Sequence, residues 1–256
     1  MLNRLALPLW LMLPAAAAAQ QGTITYTYSV KYGFEIPERW SDRIPSSRSG
    51  TMLLHFGPSG SLMTPPPEDR KEAAPAVVTD RPMLSDRAIG MAMRMKMGST
   101  SRSDQEELRE AYVSYDEGAI VETREFMGRT FRFTGHRPAF EWRLTGEQAE
   151  HLGRLVIKAT AEHEERAIEA WFTPEIPVQG GPASFGGLPG MILVLSVDGG
   201  DTKYFATEID LEGVEEGLIR MPEDGDEVSR DEYELIVAEK LEELERLRRR
   251  GPGGGQ

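Results

Sequence analysis

The sequence predicts a mainly β protein, an antiparallel meander that curls into a sandwich, open barrel or half-barrel and ends in a C-terminal α-helix. Three observations predict it. Short runs that alternate apolar and polar residues recur between Ala111 and Leu211, with glycines in the gaps between them. Helical spacing of apolar residues is sustained only after Ser229. There is no cysteine among the 256 residues, so stability must come from a packed core and not from disulfides.

Taken in order, residues 1–19 read M-L-N-R, an apolar run and A-A-A-A-A, the basic, apolar and small-residue pattern of a secretory signal peptide with cleavage near Ala19. The apolar run is shorter than the roughly 20 residues needed to span a bilayer, so the expected mature chain is exported, to the periplasm, cell envelope or extracellular space, without a transmembrane segment. Residues 20–228 are read as a single β-rich domain. Its first strands are Thr23–Tyr32 and Thr51–Phe56, where β-branched and aromatic residues alternate with polar ones. From about 57 to 108, prolines, charges and methionines suggest a flexible insertion. The strand candidates that follow are A-Y-V-S-Y, A-I-V-E-T-R-E-F, R-T-F-R-F-T, F-E-W-R-L-T, R-L-V-I-K-A-T-A, R-A-I-E-A-W-F-T, M-I-L-V-L-S-V and K-Y-F-A-T-E-I-D-L. Met191 to Leu195 does not alternate and is placed centrally, covered on both faces. Residues 229–250 form the helix: Ser229 and Glu232 have capping-box spacing, and Tyr233, Ile236, Val237, Leu241, Leu244 and Leu247 make one apolar stripe. The tail 251–256, G-P-G-G-G-Q, is expected to be disordered.

A formal net charge of -13 argues against a nucleic-acid partner, because phosphate binding needs clustered Lys and Arg. The histidines, His55, His136, His151 and His163, fall in no zinc-hydrolase spacing. In G-M-A-M-R-M-K-M-G, Met91, Met93, Met95 and Met97 recur with a period of two, which on a strand would place four soft thioethers on one face, suited to Cu(I). The same pattern suits a strand that uses Met as an adaptable core filler.

The stretch from about Tyr115 to Leu211 carries A-W-F-T-P-E-I-P, G-P and F-G-G-L-P-G-M-I-L, preceded by E-F-M-G-R-T-F, F-E-W-R-L-T and L-G-R-L-V-I-K-A. These segments resemble the GLPGLI family of exported bacterial proteins, with Met191 standing at the eponymous leucine. The resemblance implies export and a β-rich domain, and it brings no settled activity.

The loop from Pro174 to Pro189 is long for a compact domain. Leu188-Pro189-Gly190-Met191 suits a type II turn, with Pro second and Gly third. Such a loop serves either as an architectural corner or as the rim of a groove. In the second reading Trp142, Trp171, Phe172 and Phe185 supply apolar contacts, Glu175 a polar anchor, and Gly186, Gly187, Leu188, Pro189 and Gly190 the backbone shape. The sequence therefore points to a binding module for a peptide, lipid or other apolar ligand, without a cofactor. Its alternatives are a hydrolase built on Glu175, His136 and His163, an accessory or assembly partner of an outer-membrane complex, and a methionine-based Cu(I) binder.

Overall fold

The computed structural model describes residues 20–32, 46–67 and 106–250, the last four without their side chains. The leader at 1–19, most of the 57–108 segment with Met91, Met93, Met95 and Met97, and the 251–256 tail lie outside the described residues. Twelve strands and one helix follow in order: β1 (Gly22–Lys31), β2 (Ser47–Phe56), β3 (Gly60–Thr64), β4 (Glu106–Ser114), β5 (Ala119–Phe126), β6 (Arg129–His136), β7 (Arg143–His151), β8 (Arg154–His163), β9 (Arg166–Thr173), β10 (Met191–Val197), β11 (Thr202–Asp210), β12 (Asp226–Glu227) and α1 (Arg230–Arg250).

All the strands belong to one sheet, ordered β12-β6-β5-β4-β3-β2-β1-β11-β10-β9-β8-β7. Every adjacent pair is antiparallel except the short β12, which runs parallel to β6. The expected mainly β fold with a C-terminal helix is what forms. The sheet curls but does not close, since β6 and β7 do not pair.

Alternation explains the core. Directly paired residues share a face, so Ile24, Leu54, Met63 and Ala111 form one inward row across β1 to β4. All four are at most 1 % exposed. They pack in a single cluster with Val156, Ala159, Ile168, Ala170 and Phe172 from β8 and β9 and with Met191 to Leu193 from β10. Each fully buried Leu or Ile of this kind contributes about 1.5–3 kcal/mol. The same row runs on through Glu122, the partner of Ala111 in β5, to Phe133 of β6, which puts a carboxylate on the inward face.

Three local expectations need correction. The 57–108 stretch opens not as a loop but as β3, buried at every position and hydrogen-bonded to β2 and β4, because Met63 completes the inward row while Leu62 is buried on the opposite face. F-E-W-R-L-T is a strand only from Arg143 onward. Phe140 to Trp142 belong to the connection, and β7 continues through polar residues to His151 because, as the last strand, it is exposed along nearly its whole length. β7 also carries a bulge. Leu144 pairs with Ala159 but Gln148 with Ile157, and Thr145 Oγ1 accepts the Glu147 N–H at 3.2 Å within it. The third correction, to the turn at Pro189, belongs with the site.

The helix starts as the capping box predicts. Ser229 N–H donates to Glu232 Oε2 at 2.8 Å and Glu232 N–H to Ser229 Oγ at 3.1 Å. Tyr233 and Val237 are buried on Phe126, Phe131 and Phe133, so α1 docks on its own sheet. The Tyr233 ring lies 5.5 Å from that of Phe131 and 5.2 Å from that of Phe133. Ahead of it, β12 is fastened to β6 by the pairs Arg129–Asp226 and Arg132–Glu227, each at 2.7 Å. Among the described residues, no helix is long and apolar enough to cross a membrane.

Candidate functional site

Strands β6 and β7 are consecutive in the chain yet occupy opposite ends of the main antiparallel order. The connection 137–142 therefore crosses the opening where the curled sheet fails to close. What fastens it there is the loop between β9 and β10. Arg137 Nη2 donates to the carbonyls of Gln179 at 2.5 Å and Phe185 at 3.2 Å, and Trp142 Nε1 donates to the carbonyl of Gly186 at 2.9 Å. Phe140 stacks on Phe185, centroids 5.2 Å apart and planes 16° from parallel, with Trp142 tilted at 5.4 Å and His163 edge-on at 5.2 Å. These four rings are half-buried and form a continuous aromatic surface along the seam.

The loop reaches the seam by crossing the interior. Ile176, Val178 and Leu188 join the main core, and the Ala183 N–H meets Met63 Sδ of β3. Its glycines allow close approach. A Cβ on Gly186 would lie 1.5 Å from Arg137 Nη2 and 2.6 Å from the Gln179 carbonyl oxygen, so the guanidinium occupies the space that only glycine leaves. A Cβ on Gly190 would meet the Thr173 carbonyl oxygen at 2.2 Å. The type II turn expected at Leu188 to Met191 is not formed. Gly190 N–H bonds to the Leu188 carbonyl two residues back at 2.8 Å, a tighter turn centred on Pro189, and the Met191 N–H goes instead to Ile176 at 3.0 Å. Pairing inside the loop has taken the donor that a type II turn would use.

Of the residues expected to line a groove, Trp142, Phe185 and Gly186 meet at the seam, with Gly187 exposed beside them. Leu188 is buried below and Pro189 exposed beyond. Phe172 and Trp171 are neighbours on β9 and so face opposite sides of the pleat. Phe172 is 1 % exposed in the core, whereas Trp171 lies half-buried on the outer face, its Nε1 donating to Glu169 at 3.3 Å and Lys158 Nζ 5.7 Å above its ring. Both oxygens of Glu175 serve the fold: Oε2 accepts from Arg154 Nη1 at 3.1 Å and Oε1 from the Leu155 N–H at 3.0 Å. Glu175 therefore sits at the start of β8 and His163 at its end, roughly 30 Å apart along an extended strand, while His136 ends β6. The structure does not gather these three. Among the described residues, no group of three or more His, Asp or Glu could hold a metal ion.

Sequence reasoning missed Arg137, Phe140 and a buried ionic cluster. Arg124 donates to Glu122 Oε2 through Nε at 3.0 Å and Nη2 at 2.8 Å, and to Glu106 Oε1 through Nη1 at 2.5 Å. Burial alone would lower the Arg124 pKa, but Glu122 and Glu106 outweigh it and raise it. The signal was present as E-T-R-E, two opposite charges two residues apart in a strand and hence on one face. For Arg137 burial dominates and lowers the pKa, opposed only by Tyr115, whose ring lies 5.8 Å from the guanidinium. Burial pushes the phenols of Tyr115 and Tyr204 up to about 12, and that of Tyr26, which donates to the Ile192 carbonyl at 2.5 Å, well above its ordinary value.

Residues 86–194 match a family model described as a protein of unknown function, Porph_ging. Two solved structures of PNGF-II share the fold, one in a P21 and one in a C2 crystal, with TM-scores of 0.52 and 0.53 at 16 % identity. Each superposition covers 86 % of this chain and 33 % of the PNGF-II chain, so this chain spans about a third of that protein's length. No curated protein matches the sequence.

Proposed function

We propose that this chain is an exported, non-catalytic binding module that takes a peptide or other apolar ligand at the seam between β6 and β7. The observation that carries the reading is the half-buried aromatic group Phe140, Trp142 and Phe185, fixed by backbone-directed hydrogen bonds from Arg137 and Trp142. A preorganised aromatic surface binds apolar side chains with little ordering cost. Next to it begins β7, whose outer edge pairs with no strand among the described residues. An extended peptide is therefore favoured over a lipid, because it can use both the rings and backbone groups at that edge. The leader-like residues 1–19 and the resemblance to GLPGLI proteins support export. Occurrence of the same fold as about a third of the PNGF-II chain supports a module that works beside other domains.

The test is mass spectrometry of the small molecules and peptides retained after gentle purification from the native envelope, wild type against the Trp142→Ala/Phe185→Ala double variant. Peptides carried by the wild type and lost from the variant are expected. Identical retained material in both, or none in either, defeats the proposal.

A further inference from the structure

Arg137 differs from most of the other arginines that the sheet partly encloses, Arg48, which donates to the Glu106 carbonyl, being the exception. Arg109, Arg124, Arg132 and Arg154 each meet at least one carboxylate: Glu125, Glu122 with Glu106, Glu227 and Glu175 respectively. Arg137 meets none within 4 Å among the described residues, in a chain whose acidic residues outnumber its basic ones 42 to 29. Its contacts are two backbone carbonyls, both through Nη2, and the face of Tyr115. Its Nε is buried and has no acceptor among the described residues. A guanidinium carries five N–H donors in a planar fork suited to a carboxylate. Gly186 leaves room for that fork against the loop, and Phe185, one residue earlier, presents its ring to Phe140. An uncompensated cation and an aromatic wall thus share one short stretch of backbone.

We propose that the seam recognises a peptide through its C-terminal residue, with Arg137 pairing the terminal carboxylate while Phe140, Trp142 and Phe185 hold the terminal aromatic or aliphatic side chain. This rests on the seam being the binding surface and adds which part of the peptide it reads. The carboxylate supplies the counter-charge that the described residues withhold from Arg137, and charge-assisted hydrogen bonds to a partly desolvated arginine are the stronger kind. A peptide ending here has the free edge of β7, which starts just beyond Trp142, along which to run.

The experiment titrates the full chain with N-acetyl-L-phenylalanine and with N-acetyl-L-phenylalaninamide, which differ only in the carboxylate, following binding by NMR. The acid is expected to bind at least about tenfold more tightly than the amide. That preference should vanish in Arg137→Gln, survive in part in Arg137→Lys, and shrink as salt is added. Phe185→Ala should weaken both probes. Equal affinities for acid and amide, with Phe185→Ala still weakening both, would sink the carboxylate inference and leave the seam reading standing. If neither probe binds, both fall. A preference that persists undiminished in Arg137→Gln also overturns the role of Arg137. Should that variant fail to fold, the comparison of acid with amide on the unaltered protein decides alone.

Discussion

Glu122 and Arg124 stand two residues apart on the inward face of β5, joined by two hydrogen bonds that both end on Glu122 Oε2. Glu122 Oε1 is buried without a partner among the described residues. Its side chain is 1 % exposed and that of Arg124 23 %, so the carboxylate depends on the arginine for compensation. Arg124→Met is expected to destabilise the fold by about 3–5 kcal/mol at neutral pH, the cost of stranding a buried charge. The double variant Arg124→Met/Glu122→Leu should lose less than the single. Urea unfolding of both decides it, and equal losses would show that the pair is not coupled.

Stability should fall steeply in strong alkali because of buried phenols. Tyr115 and Tyr204 titrate at about 12 in the folded chain against an ordinary value of 10.0. Below pH 10 both states keep the proton and the contribution is complete. Between 10 and about 12 only the unfolded chain ionises, so each tyrosine costs about 1.4 kcal/mol per pH unit. Urea midpoints measured from about pH 9 to about pH 11.5 should show this slope, reduced by one tyrosine's share in Tyr204→Phe. A flat profile would contradict it.

Tyr233 fastens α1 between Phe131 and Phe133. Tyr233→Ala should cost about 3–5 kcal/mol of docking, as for other large aromatic truncations. Hydrogen exchange should then accelerate throughout α1 while β1 and β2 keep their protection. Exchange that quickens equally everywhere would mean that the helix and sheet unfold together.

The β8–β9 turn places Glu164 and Glu165 at φ 51° and 64°, the left-handed region that a type I′ hairpin demands at both positions. Replacing them with Asn-Gly should stabilise the protein by about 1 kcal/mol by relieving that conformation. Thermal melting checks it, and a lower Tm would show that these side chains make compensating contacts.

Gly186→Ala is expected to destabilise by about 1–3 kcal/mol, since the added methyl overpacks against the Arg137 guanidinium and the Gln179 carbonyl. Its accompanying sign is a shifted Trp142 fluorescence, because the Gly186 carbonyl accepts the indole N–H. An unchanged spectrum at unchanged stability would show that the loop yields without loss.

The strands that alternate were legible because period-two patterning is local information: β1, β8 and β11 begin and end within a few residues of their expected positions, and β10 does so as a continuous apolar run. The capping box on Ser229 and Glu232 was legible for the same reason. β3 was hidden because its few residues are buried on both sides and look like part of a proline-rich loop. β7 was hidden because an edge strand has no apolar face to display. At the seam, Phe185 and Trp142 could be picked out as aromatics near glycines. Arg137 could not, because its significance lies in what surrounds it, and the lack of a nearby carboxylate among the described residues is a fact of tertiary structure. Trp171 and Phe172 were grouped by adjacency, which the pleat of a strand undoes.

The strand order also divides the folding problem. From β1 to β6 each strand lies beside its predecessor, and from β7 to β11 the same holds, so apart from the short β12 the sheet consists of two meanders built on neighbours in the chain. They are joined by the β1–β11 ladder, where Thr23 meets Asp210 and Val30 meets Thr202. That ladder carries the largest loop-closure entropy in the sheet. Zipping it is therefore the costliest closure in the sheet, and the two meanders can form locally before it joins their faces into one core.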